Sequence, residues 1–150
     1  MRRLFLVFPI SRVRLWCKRK ERSFFNKIDC VRIPVTNLEE GIAFYSKKLK
    51  HELLWKTDIA AGLKLSQDKS EIVLYTEPDG LEIDFQVNNV EQAVEEFIHA
   101  GGRIIKGPFD IPIGKCVVVK DPWGNEYVIL DASKGFLETD ESKQVIGLKK

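Results

Sequence analysis

Sliding the chain along itself by 52 residues lays Val35-Thr36-Asn37-Leu38-Glu39 over Val87-Asn88-Asn89-Val90-Glu91, and Cys30 over Glu82. A unit that occurs only twice cannot stack into a solenoid, so it specifies two similar modules that share one core. In the first, Val31, Ile33 and Val35 alternate with Cys30, Arg32 and Pro34 from Ile28 to Val35, which predicts a half-buried strand. Thr36-Asn37-Leu38-Glu39 reads as a capping box, and Leu38, Ile42, Tyr45 and Leu49 follow at helical spacing, predicting an amphipathic helix of about three turns. Short apolar runs around Leu53–Trp55, Leu63–Leu65 and Ile72–Tyr75 predict three strands, closed by the turn Glu77-Pro78-Asp79-Gly80.

The pattern then restarts. Ile83, Phe85 and Val87 alternate with Glu82, Asp84 and Gln86, and Asn88 or Asn89 caps a helix carrying Val90, Ala93, Val94, Phe97 and Ile98. Gly101-Gly102 ends that helix, and strands follow around Arg103–Ile105, Lys115–Lys120 and Glu126–Leu130. Asp121-Pro122-Trp123-Gly124-Asn125 is a tight hairpin loop, with Pro fixing φ and Gly accepting a left-handed conformation. The expected organisation is residues 26–80 and 81–131 as two βαβββ modules of one domain, between a basic N-terminal extension (1–25) expected to be disordered and a polar C-terminal tail (132–150) expected to lie on the surface or fray.

Charge limits the partners. Residues 1–25 carry eight basic side chains and one acid, so the remaining 125 residues hold 16 basic and 21 acidic groups. A nucleic-acid-binding body is excluded by that balance. Leu4–Ile10 is too short to span a bilayer, and the basic stretch after it opposes its reading as an export signal. Cys17, Cys30 and Cys116 lie far apart without a CxxC pair, which argues against a zinc knuckle or disulfide scaffold and fits a reducing, cytoplasmic setting.

Tandem βαβββ modules, the segment Asn37–Tyr45 after the first strand and Asp121-Pro122-Trp123-Gly124-Asn125 before the last together resemble the vicinal oxygen chelate superfamily, which includes glyoxalase, bleomycin-resistance proteins and extradiol dioxygenases. The resemblance runs from about Ile28 to Asp131. It implies an α+β fold in which the modules form a curved mixed sheet with the helices on the outer face, and a ligand cavity in the hollow. Metal-dependent members place four His, Glu or Gln ligands on the first and last strands of each module. Carried over by motif, those positions are Cys30, Glu82, Val128 and either Val73 or Leu74. Only Glu82 is a usual donor, and a catalytic metal needs about three protein ligands. No cofactor is therefore expected; Cys30, Glu82 and Glu126, with Glu71 nearby, are weak candidates for an atypical divalent site. His51 and His99 read as surface or helix-end residues, and Cys30 as a small apolar filler.

Alternation places Cys30, Arg32, Glu82, Asp84 and Gln86 away from the helices, on the face that the resemblance makes the cavity floor. Arg32 is expected to pair with Glu82 or Asp84, since an unpaired buried charge is costly, or to grip a carboxylate or similar group of a small polar molecule. Glu82 is the candidate general base. Trp55 and Trp123 are candidate pocket walls, with core packing and a half-exposed turn as the plainer readings, and Phe24-Phe25 could pack on the sheet or on a second subunit. The leading expectation is a homodimeric small-molecule-binding protein without the usual metal set. The alternatives are a metal-dependent lyase, isomerase or dioxygenase, and a non-catalytic dimeric scaffold.

Overall fold

The computed structural model describes residues 23–67, 69–77 and 80–150. The N-terminal extension up to Arg22, with Cys17, and Pro78-Asp79 of the expected turn lie outside the described residues. The first module contains strand β1 (Lys27–Pro34), helix α1 (Leu38–Ile42) running on as a π-helix (Ala43–Lys48), and strands β2 (Leu53–Lys56), β3 (Ala60–Lys64) and β4 (Glu71–Tyr75). The second contains β5 (Glu82–Gln86), α2 (Val90–His99), β6 (Arg103–Ile111), β7 (Gly114–Lys120) and β8 (Glu126–Leu130). Together they form one mixed eight-stranded sheet in the order β2-β3-β4-β1-β5-β8-β7-β6, with parallel pairs β1/β4 and β5/β8.

The repeat is visible in the register. Val31 lies opposite Ile83, 52 residues on, and the flanking pairs are Cys30 with Asp84 and Arg32 with Glu82. Each module is thus the near image of the other across the β1/β5 seam.

Both helices begin where capping chemistry allows. Asn37 accepts from the Glu40 amide at 3.0 Å, and Asn89 from the Gln92 amide at 2.9 Å. Helix α1 covers Leu38, Ala61, Leu63 and Leu74 with Ile33 and Val35; α2 covers Val87, Val90, Ala93, Val117, Val119 and Ile129. The first helix departs from the expected three regular turns. Its second half is π-helical, with the Leu49 amide reaching Phe44 O, and this wider turn rotates the later side chains off the four-residue spacing, leaving Leu49 exposed. Val31 and Ile83, expected beneath the helices, belong to neither cluster, and Ile83 stays exposed. Each helix sits over its own module, so the seam between them is left uncovered.

Phe24 and Phe25 pack on the α2 side of the sheet, where Phe25 stacks on Phe85 at 4.3 Å between ring centroids. The C-terminal segment differs from a fraying tail: β9 (Phe136–Thr139) and β10 (Val145–Lys149) pair as a hairpin. Asp140 fixes its turn by accepting from the Ser142 and Gln144 amides, and the Lys56 amide donates to Lys143 O at 2.8 Å, docking the turn on β2. No strand residue of the hairpin is fully buried, with Phe136, Ile146 and Leu148 exposed and Leu137, Thr139 and Val145 half-buried, so its sequence shows only a weak alternation.

Candidate functional site

The opposite face of the sheet carries the polar residues of β1 and β5. Arg32 Nη1 donates to Glu82 Oε1 at 2.9 Å, and the guanidinium lies 4.4 Å from the ring centroid of Tyr75. Tyr75 is in turn held through its hydroxyl, which donates to Gly80 O. Two residues along each strand, the Cys30 thiol donates to Asp84 Oδ2 at 3.4 Å, while Asp84 Oδ1 is buried without a hydrogen-bond partner among the described residues. Trp55 crosses Gly62 on this face, where any Cβ would overlap the indole, and its Nε1 donates to Glu71 Oε2 at 2.8 Å. Cys116, Val128 and Leu130, with Ile111, Ile113 and Val118, complete an apolar wall on the β7/β8 side.

Burial sets the electrostatics. Asp84 is 6% exposed, and burial, reinforced by the Glu82 charge, pushes its carboxyl up to about 7 despite the Cys30 hydrogen bond and the Arg32 charge. The Cys30 thiol is pushed far up by burial and by Asp84, so it is not poised to ionise. Burial pushes Cys116 up to about 11. For Arg32 burial acts against the charged form, yet the hydrogen bond and charge of Glu82 outweigh it and hold the guanidinium above its ordinary value. Burial raises Glu71, with the Trp55 hydrogen bond opposing. Most of the floor is closed to solvent; Arg32 and Glu82, with side chains 31% and 27% exposed, form its accessible charged spot.

Four of the expected residues, Cys30, Arg32, Glu82 and Asp84, thus come together. Gln86 does not join them: it pairs with Lys27 and Leu130, further along β5. Trp123 stands 85% exposed at the tip of the β7–β8 turn, away from any pocket wall. Trp55, for which core packing was the plainer expectation, instead lies half-buried on the hollow face. Sequence reasoning missed Tyr75 beneath Arg32, because the parallel β1/β4 register that sets Arg32 beside Val73 and Pro34 beside Tyr75 has no local signature. Asp84 is a carboxyl whose proton affinity burial brings near neutrality.

Two of the four positions implied by the resemblance offer no metal donor. Register places Val73, not Leu74, beside Arg32 on this face, so two of the four positions implied by the resemblance are valines, Val73 and Val128. Glu82 is engaged by Arg32, and Glu126 by Lys120 at 2.6 Å. Among the described residues no three His, Cys, Asp or Glu side chains are grouped to hold a metal ion. His51 faces the Lys64 carbonyl, and His99 ends α2.

Two cavities lie elsewhere, neither lined by these residues. One of about 220 Å³ adjoins the start of α2, and one of about 390 Å³ lies between the β1–α1 loop, the β2–β3 turn and Gln144. No helix among the described residues is long and apolar enough to cross a membrane.

Comparison with known proteins gives a consistent picture. A family model described as the Glyoxalase/Bleomycin resistance protein/Dioxygenase superfamily matches residues 27–129. Nothing among curated protein sequences matches. Solved structures do: methylmalonyl-CoA epimerase from Mycobacterium tuberculosis is 16% identical with a TM-score of 0.63, over 74% of this chain and 91% of that one. A hypothetical protein from Bacillus halodurans is 20% identical with a TM-score of 0.58, over 77% and 97%. Homoprotocatechuate 2,3-dioxygenase from Brevibacterium fuscum is 22% identical with a TM-score of 0.56, over 71% of this chain but 36% of that longer one. At these identities the likeness is one of fold.

Proposed function

Because the chain belongs to the glyoxalase/bleomycin resistance protein/dioxygenase superfamily, we propose that it binds a small polar molecule on the hollow face of its sheet through Arg32, without the metal set used by metal-dependent relatives. The observation that carries this reading is the partly exposed Arg32 guanidinium, braced by Glu82 on one side and the Tyr75 ring on the other. A guanidinium has five N–H donors in a fixed fork, and among the described residues only the Nη1 bond to Glu82 is made. The remaining donors suit a planar carboxylate or similar group, gripped bidentately. Bracing removes side-chain freedom before the ligand arrives, so less is lost on binding. Glu82 keeps the charge in place, and the wall of Val128 and Leu130 flanks the spot.

A homodimer in a reducing, cytoplasmic setting completes the proposal. The edge strand β6 and the buried thiols of Cys30 and Cys116, which form no disulfide, are consistent with it. Light scattering at micromolar concentration tests the dimer, and a monomeric mass rejects it.

Binding is tested by calorimetry of the full chain against pyruvate, succinate, benzoate and salicylate. At least one is expected to bind saturably, with affinity at least tenfold lower in Arg32→Met. Equal affinity in the variant overturns the reading of Arg32. Elemental analysis after dialysis tests the rest: a stoichiometric divalent metal that disappears in Glu82→Gln overturns the metal-free assignment.

A further inference from the structure

The hairpin β9–β10 lies beyond the residues matched by the family model and belongs to neither module, yet it is bonded to both. Its root sits on the second module. The Lys134 amide donates to Ile113 O, and Lys134 Nζ donates to Asp110 Oδ1 at 2.7 Å and to Ile111 O at 3.3 Å. Its tip sits on the first, where the Lys56 amide donates to Lys143 O and Lys56 pairs with Gln144 in an isolated parallel bridge. Ile111 ends β6 and Lys56 ends β2, the two outermost strands of the eight-stranded sheet.

Length turns these contacts into a constraint. Laid flat, eight strands at about 4.8 Å spacing would hold the outer edges about 34 Å apart. Lys143 follows Lys134 by nine residues, which span about 30 Å when fully extended. The turn folds back from Asp140, where the Lys143 amide donates to Asp140 O, and shortens that reach. The hairpin can therefore join both edges only because the sheet curls, and it ties the two walls of the hollow to each other.

The two anchors differ in strength. The root continues directly from Asp131, which is 2% exposed and accepts from the Val90, Lys115 and Ser133 amides. The tip is held by the Lys56–Lys143 bond and the bridge beside it, and no strand residue of the hairpin is fully buried. A two-stranded hairpin is marginally stable by itself, and segments with little burial open at small cost. Gly135, between the root and β9, has φ of 125°, and its backbone freedom suits it as a pivot. We infer that the hairpin is a strap: latched to β2 it holds the walls of the hollow together, and when its tip lets go about Gly135 the hollow opens to solutes. The strap does not depend on which ligand Arg32 takes.

Thiol labelling of the full chain carrying Cys17→Ser tests the inference, because Cys116 is buried on the hollow face of β7, on the wall opposite Lys56. The rate of its reaction with N-ethylmaleimide is followed by mass spectrometry of the Cys116 peptide. Asp140→Ala removes the acceptor of the Ser142 and Gln144 amides that shapes the turn, and should speed labelling about threefold or more while the urea midpoint stays unchanged. Lys56→Cys with Gln144→Cys, oxidised to a disulfide across the bridged pair, should slow labelling by a similar factor, and reduction should restore the rate. Equal rates in the unlatched, stapled and wild-type chains would overturn the strap, and so would faster labelling in Asp140→Ala that merely tracks a lowered urea midpoint.

Discussion

Replacing Arg32 with methionine removes a guanidinium while keeping much of its stem, and leaves Glu82 and Asp84 facing each other without a cation. Exposed ion pairs are worth about 0–1 kcal/mol, whereas breaking a fully buried pair costs about 3–5 kcal/mol. The Arg32–Glu82 contact is short, 2.9 Å, but the two side chains are 31% and 27% exposed, so water screens part of the interaction. A loss of about 2 kcal/mol follows, to which the lost stacking on Tyr75 contributes. For a domain of this size that corresponds to a fall in Tm of about 8 °C. Glu82→Gln alone should cost about 1 kcal/mol, because the amide oxygen still accepts from Nη1. Arg32→Met with Glu82→Gln should be more stable than the sum of the single losses predicts, with a coupling energy of about 1 kcal/mol from urea unfolding of all four proteins. Coupling indistinguishable from zero would mean that the guanidinium is not held by Glu82 in solution, and the bracing argument for Arg32 would fail with it.

Asp131, 2% exposed, accepts from the amides of Val90, Lys115 and Ser133, so Asp131→Ala should cost about 3 kcal/mol in chemical unfolding. Burial opposes its ionisation, but hydrogen bonds from Ser133, Val90 and Lys115 win and hold the carboxyl below its ordinary value; its contribution is therefore present above the unfolded pKa of about 4 and lost as pH falls through the folded value, so the deficit of the variant should shrink in acid. Asp84 behaves oppositely. With burial and Glu82 raising it to about 7, the folded state favours the protonated acid, so wild-type stability should decline as pH rises from about 4 to 7, and Asp84→Asn should be the more stable protein at pH 8 by about 2 kcal/mol, an advantage absent below pH 4; equal pH profiles would refute the buried-charge account. Gly62→Ala should cost about 2 kcal/mol and shift tryptophan emission, because its methyl overlaps Trp55 and dislodges it from Glu71, whereas the exposed Trp123 should be unaffected.

Periodicity and capping residues marked the eight strands of the large sheet and the starts of both helices, because a strand with one buried face must alternate and a helix must start at a residue able to cap it. The same alternation assigned Cys30, Arg32, Glu82 and Asp84 to one face before any contact was known. What tertiary structure decided was everything that depends on register between distant strands. Pairing of β1 with β5 chose Glu82, and not Asp84, as the partner of Arg32 and left Asp84 with Cys30, a difference of two residues that no local pattern encodes. Parallel pairing of β1 with β4 brought Tyr75 beneath the guanidinium and selected Val73 over Leu74 for the hollow face. The C-terminal hairpin was missed because its strands bury no residue fully and their alternation is weak; Asp140 fixes the turn through local bonds, and only the Lys56 amide bond to Lys143 O needs the sheet. Local sequence sets which way each side chain points; the pairing of strands far apart in the chain sets what it meets.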